Sequence, residues 1–218
     1  VLVTGPINKK ATSNEGFGFP GHTEFIQNYF GVKDVAMVMV SHRLKLAVVT
    51  GHIPLKDVPA QITEEKILSK LRLLNESLKQ DFVVDQPRIA VLSLNPHSGD
   101  GGLLGNEEQD IIIPAIKRAT EEGILAFDAP LAMYHDQGLS PFKALSFEDG
   151  VNYTAGLPVI RTSPDHGTAF EMAGRDEADP RSMRAAIFTA IDIFRNRQEW
   201  ENLQAGKMPK YKAEESDR

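Results

Sequence analysis

The order of apolar runs along the chain predicts an α/β fold with a largely parallel or mixed sheet. Two observations carry that prediction: short Val-rich runs that read as buried strands, and longer stretches with apolar residues at helical spacing between them. The opening Val1-Leu2-Val3-Thr4-Gly5-Pro6 reads as a buried strand entering a turn, and predicts that sequence normally precedes it. Gly21-His22-Thr23-Glu24-Phe25 reads as the start of a helix continuing to Phe30. Residues 35–40 and 44–49 are the next strands. The clearest helix spans 63–80. Thr63 suits its N-cap, Glu64 and Glu65 suit its positive end, and Ile67, Leu71, Leu74 and Leu78 share one face. A strand follows at 88–94, then a helix at 106–122 with acids in its first turn and Gly123 to end it. Residues 129–134 and 156–160 read as strands and 181–195 as a final amphipathic helix. Residues 202–218 are polar, without an apolar period, and read as a frayed tail. Gly- and Pro-punctuated loops interrupt the alternation at 138–141, so the sequence divides into 1–138, 139–200 and a tail at 201–218.

Composition removes several function classes. The balance of 24 Lys+Arg against 30 Asp+Glu gives a net charge of -6 with no basic block, so nucleic acid is not an expected partner. The chain has no cysteine, which excludes a disulfide framework, a thiolate metal site and a cysteine nucleophile. No apolar run approaches the roughly 20 residues that span a bilayer, so a soluble cytoplasmic protein is the expectation.

The histidines carry the chemical signal. His52, His97 and His135 each follow a predicted strand, in VTGHIP, LNPHSG and MYHDQG. Ligands of α/β sheets bind beyond the carboxyl ends of strands, where three imidazoles from separate strands could converge on one divalent metal and leave a position open for substrate. Each could equally be a loop histidine bonded to backbone. At GHTEF, exposed N–H groups beside His22 and Thr23 suit a carboxylate or phosphate, while Thr23 as an ordinary cap is the plainer reading. Ser98-Gly99-Asp100-Gly101-Gly102 either turns the chain or lets backbone approach a ligand. Arg161, after the 156–160 run, suits bidentate pairing with an anion. Asp165, His166, Gly167 and Thr168 would form a lip before a short helix where a nucleotide could rest, although Asp and Thr before a helix are common caps. No GxGxxG follows a strand, and neither a Walker-A loop nor a GxSxG elbow is present. Asp136, next to His135, could orient that imidazole or cap a turn.

These motifs together resemble the 4-hydroxythreonine-4-phosphate dehydrogenase family of pyridoxal phosphate biosynthesis. The matching segments are VTGPINK (3–9), GHTEF (21–25), GHIPL (51–55), LNPHSGDGG (94–102), AMYHDQG (132–138), GVNYTAGLPVIRTSPDHGTA (150–169) and EMAGR (171–175), in family order. Compared with that family, the chain lacks an N-terminal portion and is short at 122–130, as if a loop between Phe127 and Asp128 were absent. The resemblance implies a two-domain fold like that of isopropylmalate and isocitrate dehydrogenases, with the active site in the interdomain cleft at a homodimer interface. Residues 1–138 would be the metal and dimer side, and 139–200 the C-terminal part of the cofactor domain. His52, His97 and His135 match the family's metal ligands, with His135 contributed across the dimer. The imidazole set suits zinc, with cobalt, manganese or magnesium as alternatives. His22, Thr23, Lys143, Asn152 and Arg161 match substrate contacts, Lys143 also assisting proton transfer. Asp165 to Thr168 are assigned to NAD or NADP by analogy with the related decarboxylating dehydrogenases. The activity implied is oxidation and decarboxylation of 4-phosphooxy-L-threonine to 3-amino-2-oxopropyl phosphate. A paralogue acting on a phosphorylated threonate or erythronate is the nearer alternative, and a non-catalytic binding protein the distant one.

Overall fold

The computed structural model describes residues 1–8, 11–12 and 16–206, with the side chains of 125–127 excepted. Lys9 of the first motif and residues 207–218 of the tail lie outside the described residues. Seven strands form one sheet: β1 (Leu2–Val3), β2 (Ala36–Val40), β3 (Lys45–Val48), β4 (Arg88–Val91), β5 (Leu125–Ala132), β6 (Val151–Ala155) and β7 (Arg161–Pro164). Their spatial order is β1-β7-β6-β2-β3-β5-β4. Pairing is parallel for β1 with β7, β3 with β5 and β4 with β5, and antiparallel across β7, β6, β2 and β3. The alternation of strands and helices left a largely parallel or a mixed sheet open, and the sheet is mixed.

The period-2 rule explains how each strand divides its residues. Ala36, Val38 and Val40 of β2, and Val151, Tyr153 and Ala155 of β6, turn into the main core. That core is closed by α2 (Glu64–Gln80), α3 (Ile113–Glu121) and α5 (Arg181–Ala205). Met39, Leu46, Val48 and Ala132 turn the other way and pack on Phe142 of α4 (His135–Leu145). A fifth helix, α1 (His22–Tyr29), precedes β2. Thr63 caps α2 by accepting from the Lys66 N–H at 3.2 Å, and Ile67, Leu71, Leu74 and Leu78 are all buried.

Four details depart from the sequence reading. Gly156, at φ +89, and Pro158 break the 156–160 run into a turn, and the strand is Arg161–Pro164 instead. Gly21, not Thr23, is the N-cap of α1, and it supplies no side-chain cap. The 106–122 helix begins with a π-helical turn at Glu108–Ile112 before α3. Finally, α5 continues to Ala205, into the stretch read as tail. The 138/139 division falls inside α4, and β6 and β7 beyond it hydrogen-bond to strands from before it. In β5, Leu125 faces Arg88 while Ala129 faces the next residue, Ile89, an irregularity where the sequence read as shortened.

Candidate active site

A cavity of about 1610 Å³ opens on the α4 side of the sheet and gathers most of the residues singled out above. His22, Thr23, His52, His135, Lys143, Asn152, Arg161, Asp165, His166 and Gly167 line it. His97, Asp136 and Thr168 do not appear on its wall.

Arg161 enters from the first residue of β7 and is 6% exposed. Its Nε and Nη2 donate to Thr4 Oγ1 at 3.1 and 2.8 Å, a neutral partner on the chain leaving β1. Among the described residues it makes no ion pair. Burial lowers its pKa, and the charge of Glu24 in the first turn of α1 opposes that. A buried guanidinium without a paired carboxylate, facing a cavity, is an anion receptor in waiting. His22 begins α1 nearby. Burial first, and Arg161 second, lower its pKa, so the neutral ring is favoured there. Because Gly21 supplies no side-chain acceptor, the amide groups at this helix end remain available to a ligand.

Asn152 lies on β6 between Met39 of β2 and Ser163 of β7. Its Oδ1 is buried and has no hydrogen-bond partner. An orphaned acceptor on a cavity wall fits a donor carried by a ligand. Lys143, in the last turn of α4, donates to the Asp165 carbonyl and sits 2.9 Å from Asp165 Oδ2. It therefore ties α4 to the loop after β7. His166 is exposed, its Nδ1 2.7 Å from the Gly167 carbonyl oxygen.

His52 and His135 stand together, ring centroids 5.2 Å apart and tilted by 42°. They meet because β3 and β5 are parallel neighbours whose exits open on the same side. Gly138 permits the approach: a Cβ there would lie 2.4 Å from Leu46 Cδ2. Asp136 Oδ1 lies 2.9 Å from His135 Nδ1, the contact an orienting carboxylate would make. His97 is exposed and remains outside the cavity. Among the described residues no group of three or more His, Cys, Asp or Glu side chains could hold a metal ion. One chain thus presents two of the three expected imidazoles. The resemblance assigned His135 to the opposite side of a dimer, whereas here it shares the cavity with His52 of its own chain.

Sequence reasoning missed a charged corner of this cavity. Lys70 of α2 is buried and pairs with Asp34, which also accepts from Ser69 Oγ at 2.6 Å. Burial raises the Asp34 pKa, but the hydrogen bonds from Lys70 and Ser69 outweigh it and hold the carboxyl below its usual value. Lys70 sits beside Leu71 on the apolar face of α2, and a lysine on that face was the available signal. Glu108 was missed as well. It shares spacing with the buried Ile112, Ala115 and Ala119, so a carboxylate on a core-facing stripe was visible in the sequence.

A family model described as "Pyridoxal phosphate biosynthetic protein PdxA" matches residues 1–129 and 125–190. The chain belongs to the PdxA family. The two matched segments meet where β5 is irregular. A relative named 4-hydroxythreonine-4-phosphate dehydrogenase, from Bacteroides thetaiotaomicron, is 51% identical over 235 residues, covering 100% of this chain and 65% of its own. The crystal structure of the enzyme of that name from Klebsiella pneumoniae superimposes with a TM-score of 0.79 at 36% identity, covering 88% of this chain and 63% of that one. A terephthalate 1,2-cis-dihydrodiol dehydrogenase from Burkholderia xenovorans gives a TM-score of 0.66 at 25% identity, over 86% of this chain and 65% of that one. The chain therefore spans just under two thirds of the length of these relatives. Its α/β fold is of the isopropylmalate/isocitrate dehydrogenase-like kind to which these dehydrogenases belong. No helix of the described residues is long and apolar enough to cross a membrane.

Proposed function

We propose that this chain is the greater part of a metal-dependent NAD or NADP oxidoreductase that converts 4-phosphooxy-L-threonine to 3-amino-2-oxopropyl phosphate. It would act as a homodimer whose active site is shared between two copies. The observation that carries this reading is the buried Arg161, which makes no ion pair among the described residues, in the same cavity as the His52–His135 pair. An anion receptor next to two imidazoles suits a small phosphorylated hydroxy acid.

In this reading Arg161 and the His22–Thr23 helix end hold the substrate's anionic groups, and Asn152 Oδ1 accepts from its hydroxyl or amino group. His52 and His135 would hold a divalent metal, zinc by preference, with His97 completing the set in the assembled protein. When bound, the metal supplies Lewis-acid polarisation of the substrate oxygens and the dinucleotide a hydride acceptor. Oxidation removes a hydride from C3 and the proton from its hydroxyl. The resulting β-keto acid loses CO2, and the carbon that held the carboxylate regains a proton. Lys143, held over the cavity by Asp165, is the group assigned to that proton transfer. Asp165, His166, Gly167 and Thr168 are assigned to the dinucleotide, the first three from the cavity wall. The sheet's β7 end, with the loop after it, would be the cofactor side of the cleft.

The test is dinucleotide reduction by the metal-loaded protein with 4-phosphooxy-L-threonine and, separately, with phosphorylated threonate and erythronate. Reduction with the first alone bears out the reading. Reduction only with the acids lacking the amino group moves the substrate to the paralogous class. No reduction with any of them, by protein that binds dinucleotide and metal, refutes it.

A further inference from the structure

The loop that presents His97 is held in an unfavourable shape by one buried carboxylate. His97, Ser98, Gly99, Asp100 and Gly101 all have left-handed backbone angles, with φ from 45 to 80°. Three of the five carry side chains, and each left-handed non-glycine residue costs roughly 1 kcal/mol or more. The His97 ring does not repay that cost by packing, because it is exposed and outside its own cavity. Backbone strain of this kind persists only where the surroundings impose it.

Glu108 is what imposes it. The residue is 2% exposed, and no Lys, Arg or His pairs with it among the described residues. Its Oε1 accepts the backbone N–H groups of Leu94 and Asn95 at 2.8 and 2.7 Å, and its Oε2 accepts Asn95 Nδ2 at 2.9 Å. Those donors lie just ahead of Pro96 and His97, so the carboxylate fixes the point from which the left-handed turn departs. Packing closes the far side: a Cβ on Gly99 would lie 2.5 Å from the Gly105 carbonyl oxygen and 2.9 Å from Glu108 Oε2. Glu108 also opens the π-helical turn, and such turns are rare and frequent at functional sites.

We propose that Glu108 is a positioning residue that holds His97 in the exposed left-handed conformation from which it serves as a metal ligand. The inference rests on the reading of His97 as a ligand, and one set of variants separates the two. Zn2+ affinity is measured on the purified chain by competition with a chelating dye, for the parent, Glu108→Gln, His97→Ala and the double variant, each checked for folding by circular dichroism. The amide in Glu108→Gln keeps the side-chain length but sets its NH2 against Asn95 Nδ2. The expected result is an affinity loss of about 10-fold or more, the usual effect of removing a group that orients a ligand. In the His97→Ala background the same change should have no further effect. An equal loss in both backgrounds overturns the proposal, since Glu108 would then act on the fold generally. Parent-like affinity in His97→Ala overturns the ligand reading itself. Should Glu108→Gln not fold, Asn95→Ala removes one of the three donors to Glu108, together with the Asn95 bond to Glu107 at 2.8 Å, and a smaller loss that also vanishes with His97→Ala is expected. An undiminished affinity in Asn95→Ala, or a loss that persists without His97, overturns the proposal.

Discussion

Replacing Asp81 with Ala should destabilise this fold more than changing any exposed residue. Asp81 follows α2 and is 0% exposed. Its carboxylate accepts from Ser77 Oγ at 2.7 Å, Tyr153 OH at 2.5 Å and Arg197 Nε at 2.6 Å. Its backbone carbonyl accepts from Asn196 Nδ2 at 2.7 Å, and Arg197 Nη2 also donates to Tyr153 OH at 2.9 Å. Burial, with the charge of Asp81 added, pushes the Tyr153 phenol well above its usual range, so it stays protonated and donating. The group joins α2, β6 and α5 around one charge. Truncation to Ala would leave the Arg197 guanidinium, its side chain only 15% exposed, among neutral partners and the two hydroxyls without their acceptor. Breaking one side of a buried pair costs about 3–5 kcal/mol. At about 2–4 °C per kcal/mol for a chain of this size, the melting temperature should fall by roughly 6–20 °C. Thermal unfolding followed by circular dichroism reads this directly, and urea unfolding gives the free energy. Replacing Asp81 and Arg197 together by apolar residues of similar volume should recover much of the loss, because no unpaired charge then remains. A fall below about 2 °C for Asp81→Ala would show that water or a rearranged partner already satisfies Arg197, and would refute the reasoning.

Three further outcomes follow from the site. Gly138→Ala should cost about 1–3 kcal/mol, since its Cβ meets Leu46, Val48 and Ala132, and the shift of α4 away from β3 should weaken Zn2+ binding; an unchanged melt and affinity would show that the helix needs no such close approach. Arg161→Met should abolish the rise in melting temperature that inorganic phosphate gives the parent, while barely altering stability without phosphate, because the change also removes a buried cation. A phosphate shift that survives in the variant would place the receptor elsewhere. His22 has a folded pKa lowered from 6.5, so the unfolded chain takes up its proton first as the pH falls. Its contribution to stability is therefore complete above pH 6.5 and is lost as the pH drops through 6.5 toward the lower folded value. His22→Gln should flatten that part of a stability–pH curve, and adding phosphate should move the His22 NMR titration upward, toward 6.5.

Local pattern was enough to read most elements. The Thr63 cap and the Ile67-Leu71-Leu74-Leu78 stripe of α2 were legible because capping and amphipathic spacing are properties of a few adjacent residues. The start of β7 was misplaced for a local reason too: Val159 and Ile160 look like strand, but Gly156 at φ +89 and Pro158 turn the chain before them. Lys70 and Glu108 each left a faint trace, a charge on an apolar face, while their partners left none.

By itself the sequence determined the α/β layering, the family, and which residue types reach the strand exits, since alternation and motif order are written along the chain. Only the tertiary structure decided that His52 and His135 share a cavity while His97 points elsewhere, and that Arg161 rests on Thr4, 157 positions away, instead of on an acid. The physical reason is that pairing between distant segments depends on strand order and register. Neither is encoded in the spacing of the residues that eventually touch.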